Sequence, residues 1–388
     1  MTDNASVKAL IGEILGEIID EARDGGGKKT KVGLMAYGSE LGQEELCRGA
    51  RLAMQNDPSV KVFCIGPKLA GFEDLNWIET AANEQEISAA MEKALGDGII
   101  EGAVALHYPF PVGVTTIGKV FTPAKGKPCF VASSTGTSSS VRTEAMLRNA
   151  IYGVAVAKSA GVAEPTVGVL NLDGAQTVLR ALQKLKDNGY GISFAESVRK
   201  DGGAILRGND LLAGAADVCV TDTLTGNVLM KLFGAWTTGG NYEAMGWGYG
   251  PSAGEGWSKV ISIISRASGA PVIASAISLN ANAAKNGLPA IVAKELAAAR
   301  AAGLDELIEA MQPKKETAEA EEIKAPAAEP TDEEIHGVDV LEIENAVKAL
   351  WKAGIYAESS MGCTGPVIKF AKRNEEKVKE TLTKENYL

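Results

Sequence analysis

One thiol near the end of the chain has the surroundings of a nucleophile. Cys363 sits in Glu358–Lys369, ESSMGCTGPVIK, where Ser359, Ser360, Gly362 and Gly365 let the backbone turn tightly. Pro366 suits the first turn of a helix running towards Lys379. Cys363 is therefore expected just outside a helix N-terminus, where unpaired N–H groups and the helix dipole favour thiolate over thiol. A thiolate attacks carbon or selenium, whereas a thiol hardly does. The competing reading is a small hydrophobe beneath a terminal helix. The glycine and serine flanks make a poor apolar slot and favour the reactive reading.

Two clusters elsewhere have the composition of an anion site. SSTGTSSSVR supplies Ser133, Ser134, Thr135, Gly136 and Thr137, then Arg142, between an apolar strand and a helical stretch. A strand end, a small-residue loop and a helix start form such a site; a solvated Ser/Thr linker reads equally well. The second cluster, Asp222, Thr225, Gly226, Asn227 and Lys231, falls where DVCVTD turns into TLTGNVLMK. Ligands of parallel sheets bind beyond the carboxyl ends of the strands, although Thr225 or Asn227 equally suits a helix cap.

The elements that must position these groups alternate. Strands are expected at 32–36, 60–65, 102–106, 129–132, 165–172, 217–222 and 271–277. Helices are expected at 44–55, 86–95, 144–160, 175–186 and 290–302. That order predicts a mostly parallel sheet with helices on both faces. Residues 234–256, rich in glycine among Trp236, Tyr242, Trp247 and Tyr249, read as a long mobile loop suited to a lid. The expected organisation is an N-terminal amphipathic helix (1–30), an α/β body (31–311), a flexible acidic Pro/Ala linker (312–334) and a C-terminal segment (335–388) with a helix over 338–353.

Composition removes several classes. A net charge of −10 argues against nucleic-acid and anionic-membrane partners, and no apolar run approaches a spanning length. Five scattered cysteines without a C-x-x-C pair predict neither a disulfide framework nor a zinc site. With only His107 and His336, a Ser/His triad or a multi-histidine metal centre has little material. No metal is expected, and a cytoplasmic location fits an acidic N-terminus with no signal-peptide pattern.

From Glu164 onward, EPTVGVLNL, GISFAESV and ADVCVTDTLTGNVLMK resemble the phosphate acyltransferases of phospholipid synthesis and the related phosphotransacetylases. The family's N-terminal GGD-x-x-P pattern appears only as Gly38-Ser39-Glu40-Leu41-Gly42-Gln43, and that family has no such tail. A body of this kind joined to an acidic linker and ESSMGCTGP resembles, over essentially the whole chain, the component C alpha subunits of clostridial glycine/sarcosine/betaine reductases. The resemblance implies a three-layer α/β/α fold with a two-lobed cleft, plus a helical cysteine-bearing segment. It implies that Cys363 takes a two-carbon unit as an acetyl thioester from a carboxymethylated selenoprotein, component A. Inorganic phosphate, as co-substrate with no bound cofactor, then releases acetyl phosphate. A component C beta subunit and a hetero-oligomer are the implied partners. Phosphate would be held by donors from Ser133–Thr137 and Thr225–Asn227, with Lys231 or Arg142 offsetting its charge. Two other readings stand: a free-standing phosphate acyltransferase using carrier-protein or coenzyme A thioesters, and a non-catalytic scaffold that docks the selenoprotein.

Overall fold

The computed structural model describes residues 29–199, 203–312, 323–339, 342–362 and 365–388. The helix expected over the N-terminal residues, the middle of the linker and Cys363 itself lie outside them.

Apolar runs flanked by turn residues form the strands of the first block: β1 (Thr30–Met35), α1 (Gln43–Asn56), β2 (Val60–Gly66), β3 (Asn76–Glu79), α2 (Glu84–Gly96) and β4 (Gly102–Ala105). Its strands pair in parallel, and β1 and β4 are buried almost throughout, as strands covered on both faces must be. The hairpin β5 (Val114–Phe121) and β6 (Pro128–Thr137) breaks the pattern, pairing antiparallel. A second parallel block follows: α3 (Arg142–Ser159), β7 (Thr166–Leu170), α4 (Ala175–Asp187), β8 (Ser193–Phe194), β9 (Ile205–Leu206), α5 (Gly208–Ala213), β10 (Val218–Val220) and α6 (Thr223–Ala235). The chain then returns through β11 (Gly250–Gly254) and β12 (Ile261–Ile263) to α7 (Ala270–Lys285), α8 (Leu288–Ala301) and α9 (Leu304–Met311).

The strand order is β3-β2-β1-β4-β12-β11-β5-β6-β10-β7-β8, with β9 beside β7. Two parallel blocks thus meet across the antiparallel strands β11 and β5, and the apolar cluster of the first block continues past them to Val131, Cys219 and Met230, while a second cluster surrounds α3 and α4. This is the expected α/β fold.

A third core belongs to the C-terminal unit, where β13 (Glu333–Ile335), β15 (Gly365–Phe370) and β14 (Ala357–Gly362) form an antiparallel sheet covered by α10 (Ile343–Lys352) and α11 (Glu375–Lys384). The helix expected from Pro366 towards Lys379 is corrected here: β15 occupies that position, and α11 starts only at Glu375. Pro366 pairs with Met361 at a level that β13, which reaches Ile368, does not cover. A proline missing its N–H is tolerated at such an edge.

Other expectations change too. The hydroxyl run to Thr137 continues strand β6 instead of forming a loop, because Thr115 and Thr116 of β5 bond to it. The 271–277 stretch belongs to helix α7: its β-branched residues suggested a strand, but Val272, Ile273, Ala276, Ile277 and Asn280 are buried at helical spacing after a Pro in the first turn. The end of the proposed lid is strand β11. The linker's described part is held by the C-terminal unit: Thr331 donates to Glu358, the Lys372 N–H to Asp332 and Asn374 to Glu329.

Candidate active site

The cleft lies where the two blocks meet. About 550 Å³ in volume, it is lined by residues 106–110 after β4, Ile263 at the end of β12 and Ile264–Arg266 after it, Thr135 and Gly136 of β6, Tyr249 before β11, and Asn227 and Lys231 of α6. Apart from Tyr249, which precedes β11, these positions lie near or past the ends of strands or on helix α6.

Helix α6 is fixed tightly. Gly226 packs so closely on the Ser133 carbonyl that a Cβ there would lie 1.7 Å from its oxygen. One residue on, Asn227 Nδ2 donates to the Ser134 carbonyl over 3.0 Å. The T-G-N triplet therefore seats the helix on β6, with glycine supplying the approach and asparagine the register.

The helix start has its own support. Asp222 caps α6, accepting from the Thr225 N–H (2.9 Å) and hydroxyl (2.9 Å), and Arg142 Nη2 donates to it over 2.9 Å. Burial alone would raise the Asp222 carboxyl, but Thr225 and the Arg142 guanidinium hold it below the usual carboxylate range. Asp173 adds a second, longer contact to Arg142 at 3.5 Å.

The eleven residues expected to bind phosphate thus divide. Thr135, Gly136, Asn227 and Lys231 line the cleft. Ser133 and Ser134 are buried behind it: Ser133 shares hydrogen bonds with Thr115 and Thr223, while Ser134 donates to the Tyr249 carbonyl over 2.6 Å. Gly226 is the packing contact. Arg142, Asp222 and Thr225 form the cap cluster, and the Thr137 hydroxyl donates to the Ser139 carbonyl.

Behind Lys231 lies a buried acid. Glu243 accepts from Tyr249 Oη over 2.9 Å, and Lys231 Nζ stands 5.4 Å from the centre of the Tyr249 ring. Burial pushes the Glu243 carboxyl up, a shift that Tyr249 and the Lys231 charge partly offset. The Tyr249 hydroxyl is likewise raised, by burial and by the neighbouring carboxylate.

The cysteines separate sharply. Cys47, Cys64, Cys129 and Cys219 are free and buried, and burial pushes Cys129 up to about 12 and Cys219 well above its ordinary value. Cys363 lies outside the described residues; it and Thr364 separate the paired ends Gly362 and Gly365 of β14 and β15. The unit carrying it rests against α4, where Arg180 donates to the carbonyls of Gly337 (2.8 Å) and Tyr387 (3.2 Å). Asp339, beside Thr177 (3.3 Å), reaches the α4 N-terminus. Among the described residues no group of three or more His, Cys, Asp or Glu could hold a metal ion.

The chain is 50% identical over 378 residues, 97% of each chain, to the glycine/sarcosine/betaine reductase complex component C subunit alpha of Peptoclostridium acidaminophilum. It belongs to the component C alpha-subunit family. Residues 30–369 match the family model described as fatty acid synthesis protein. The phosphate acyltransferase of Thermotoga petrophila is 26% identical over 234 residues, 52% of this chain and 67% of that protein. That of Thermosipho africanus is 37% identical over 114 residues, 28% and 32% of the respective chains. A branched-chain phosphotransacylase structure from Enterococcus faecalis V583 superposes with a TM-score of 0.44 at 14% identity, covering 65% of this chain and 98% of that one. No described helix is long and apolar enough to cross a membrane.

For a component C alpha chain, the cleft includes groups that sequence reasoning passed over. Arg266, whose Nη2 donates to Glu84 over 2.9 Å, and Ser265 follow β12 and bring a cation and a hydroxyl to the lining, which Glu40, His107, Tyr108 and Phe110 share. The signal was present as ISIISRAS, an apolar run ending in Ser and Arg. It was obscured because the following residues were read as the strand.

Proposed function

We propose that this chain is the acetyl-transferring subunit of a glycine/sarcosine/betaine reductase complex. Cys363 accepts the two-carbon unit of a carboxymethylated selenoprotein, component A. The Se–C bond breaks and the methylene carbon takes a proton to become the methyl of an acetyl thioester, the carboxylate loses one oxygen as water, and the selenium, oxidised by two electrons, forms a selenium–sulfur bond to a second thiol. Inorganic phosphate then attacks the thioester carbonyl, the C–S bond breaks, the thiolate leaves and acetyl phosphate forms. A beta subunit and component A are the partners, in a hetero-oligomer that needs no bound cofactor for this step.

The observation that carries the reading is the grouping of Asn227 and Lys231 with Thr135, Gly136, Ser265 and Arg266 around one cleft, in a chain half identical throughout to a component C alpha subunit. Two cations and several hydroxyl, amide and backbone donors suit a phosphate dianion and the oxyanion that develops on the thioester. At about 550 Å³ the cleft exceeds what acetyl and phosphate need and leaves room for a segment that carries the thioester. Asn227 belongs to the binding wall, and its amide also locks α6 to β6.

The test is acetyl phosphate formation by the assembled complex with Cys363→Ser and, separately, with Asn227→Ala. The reading expects both to lose the reaction. Unchanged turnover of an acetylated coenzyme in Cys363→Ser would instead favour a free-standing acyltransferase, and unchanged phosphate binding in Asn227→Ala a scaffold.

A further inference from the structure

The two cations that line the cleft are used differently. Arg266 donates to Glu84 over 2.9 Å, so its charge is already matched, whereas Lys231 makes no ion pair among the described residues. Beside Lys231 stands the Tyr249 ring, its centre 5.4 Å from Nζ and within cation–π range. That ring is fixed at both ends. The Tyr249 carbonyl accepts from Ser134 over 2.6 Å, and the Tyr249 hydroxyl donates to Glu243 over 2.9 Å. Glu243 is clamped in turn. Its N–H donates to the Ala267 carbonyl (2.9 Å), its carbonyl accepts from the Gly269 N–H (2.8 Å), and its side chain packs on Gly234 of α6, where an added Cβ would lie 3.1 Å from Cγ. A carboxylate only 5% exposed thus ties together α6, the segment after β12 and the residue before β11.

Resting on the phosphate site proposed above, we infer that Glu243 is a positioning residue for that anion: through Tyr249 it holds Lys231 at the cleft, and its own charge sets how much of the Lys231 attraction reaches the bound phosphate. Ionised, the carboxylate lies behind the ammonium and cancels part of its pull on the dianion; protonated, it leaves that pull whole. The groups acting on the carboxylate are the Tyr249 hydroxyl, the Ser265 and Ser268 side chains and, from α6, the Lys231 charge. Burial raises the carboxyl against all four, so the change of charge falls above the ordinary carboxylate range. Phosphate affinity therefore drops as pH rises through that titration. Because linkage is reciprocal, phosphate that binds beside Lys231 draws a proton onto Glu243.

The experiment is isothermal titration of inorganic phosphate into the full chain over a pH series, in two buffers of different ionisation heat, for the wild type, Glu243→Gln and Tyr249→Phe. Glutamine keeps the shape and an acceptor for Tyr249 but carries no charge. At the alkaline end Glu243→Gln binds phosphate roughly threefold to tenfold more tightly than the wild type, the scale of one partly screened charge, and at the acid end the two converge. Over the titration the wild type takes up more protons on binding than Glu243→Gln does; phosphate's own ionisation is common to both and cancels. Tyr249→Phe, compared at the acid end where Glu243 is neutral, binds more weakly because its ring has lost the anchor. A Gln-to-wild-type affinity ratio that does not change with pH overturns the inference, as does a Tyr249→Phe variant with wild-type affinity or a wild type that binds no phosphate. A complex that forms no acetyl phosphate, while its alpha chain shows the pH-dependent ratio, refutes the proposed function alone; one that forms it with a constant ratio refutes this inference alone.

Discussion

Gly226→Ala tests how the site is built. Within a helix, alanine is ordinarily the better residue by about 1 kcal/mol, so a helix free to adjust would be stabilised. Here the added Cβ would stand 1.7 Å from the Ser133 carbonyl oxygen and 2.9 Å from its carbon, and neither atom is a flexible side-chain end. Restoring even a 3.0 Å separation moves α6 and β6 apart by 1.3 Å, the difference between those two distances. The Asn227–Ser134 hydrogen bond, 3.0 Å long, does not survive such a shift. Overpacking costs about 1–3 kcal/mol and the lost bond about 1 kcal/mol, so a net destabilisation of about 1–3 kcal/mol remains after the helix propensity gain. The two cleft-lining residues of α6 move with it, and a displacement of about 1 Å at a reacting centre can lower turnover about 100-fold. Urea unfolding monitored by circular dichroism reads the first effect, and acetyl phosphate formation by the assembled complex reads the second. A variant as stable as wild type, with full activity, would refute the close seating of α6 on β6 as the basis of the site.

Further outcomes follow from the same geometry. Glu243 has its folded-state pKa raised, so above the ordinary carboxylate value near 4.5 the folded protein keeps a proton that the unfolded chain has lost. Stability therefore falls as pH rises from that value through the raised one, and Glu243→Gln flattens this part of the melting-temperature profile; a variant with the wild-type slope contradicts the assignment. Arg180→Ala removes donors to Gly337 and Tyr387, each charged hydrogen bond being worth about 1.5–3 kcal/mol, and hydrogen exchange should rise along α4 and at residues 337–339 while β1 and β2 keep their protection. Uniform exchange across the chain would mean that the unit is not held there. Iodoacetamide on the folded protein should label Cys363 before the four buried cysteines, with peptide mapping as the readout. Equal labelling would contradict a uniquely accessible thiol.

Much of the fold was legible because buried parallel strands are written as short apolar runs, as in Val32–Ala36 and Val218–Val220, and because DTLTGN marks a strand-to-helix turn. Two local choices were misread where one signal serves two structures. Pro366 opens a helix or ends a strand's pairing edge, and only the partner β14, which starts nine residues earlier, decides between them. In α7, PVIASAI is as β-branched as a strand, and only the burial of Asn280 one turn beyond it reveals the helical face. The lining of the candidate cleft was partly legible. Asn227 and Lys231 were found from one continuous motif, whereas Arg266 and His107 reach the cleft from chain segments far apart in sequence, which no local pattern records. The cap cluster of Arg142, Asp222 and Thr225 was grouped with the cleft because a helix start attracts ligands and caps with the same residue types.

The most direct test of the whole account is peptide-resolved mass analysis after incubating the complex with acetyl phosphate. The account predicts an added mass of about 42 Da, one acetyl group, on the peptide containing Cys363, and its removal when inorganic phosphate is added in excess. An acetyl group found only on other residues, or an adduct on Cys363 that phosphate does not remove, would contradict it.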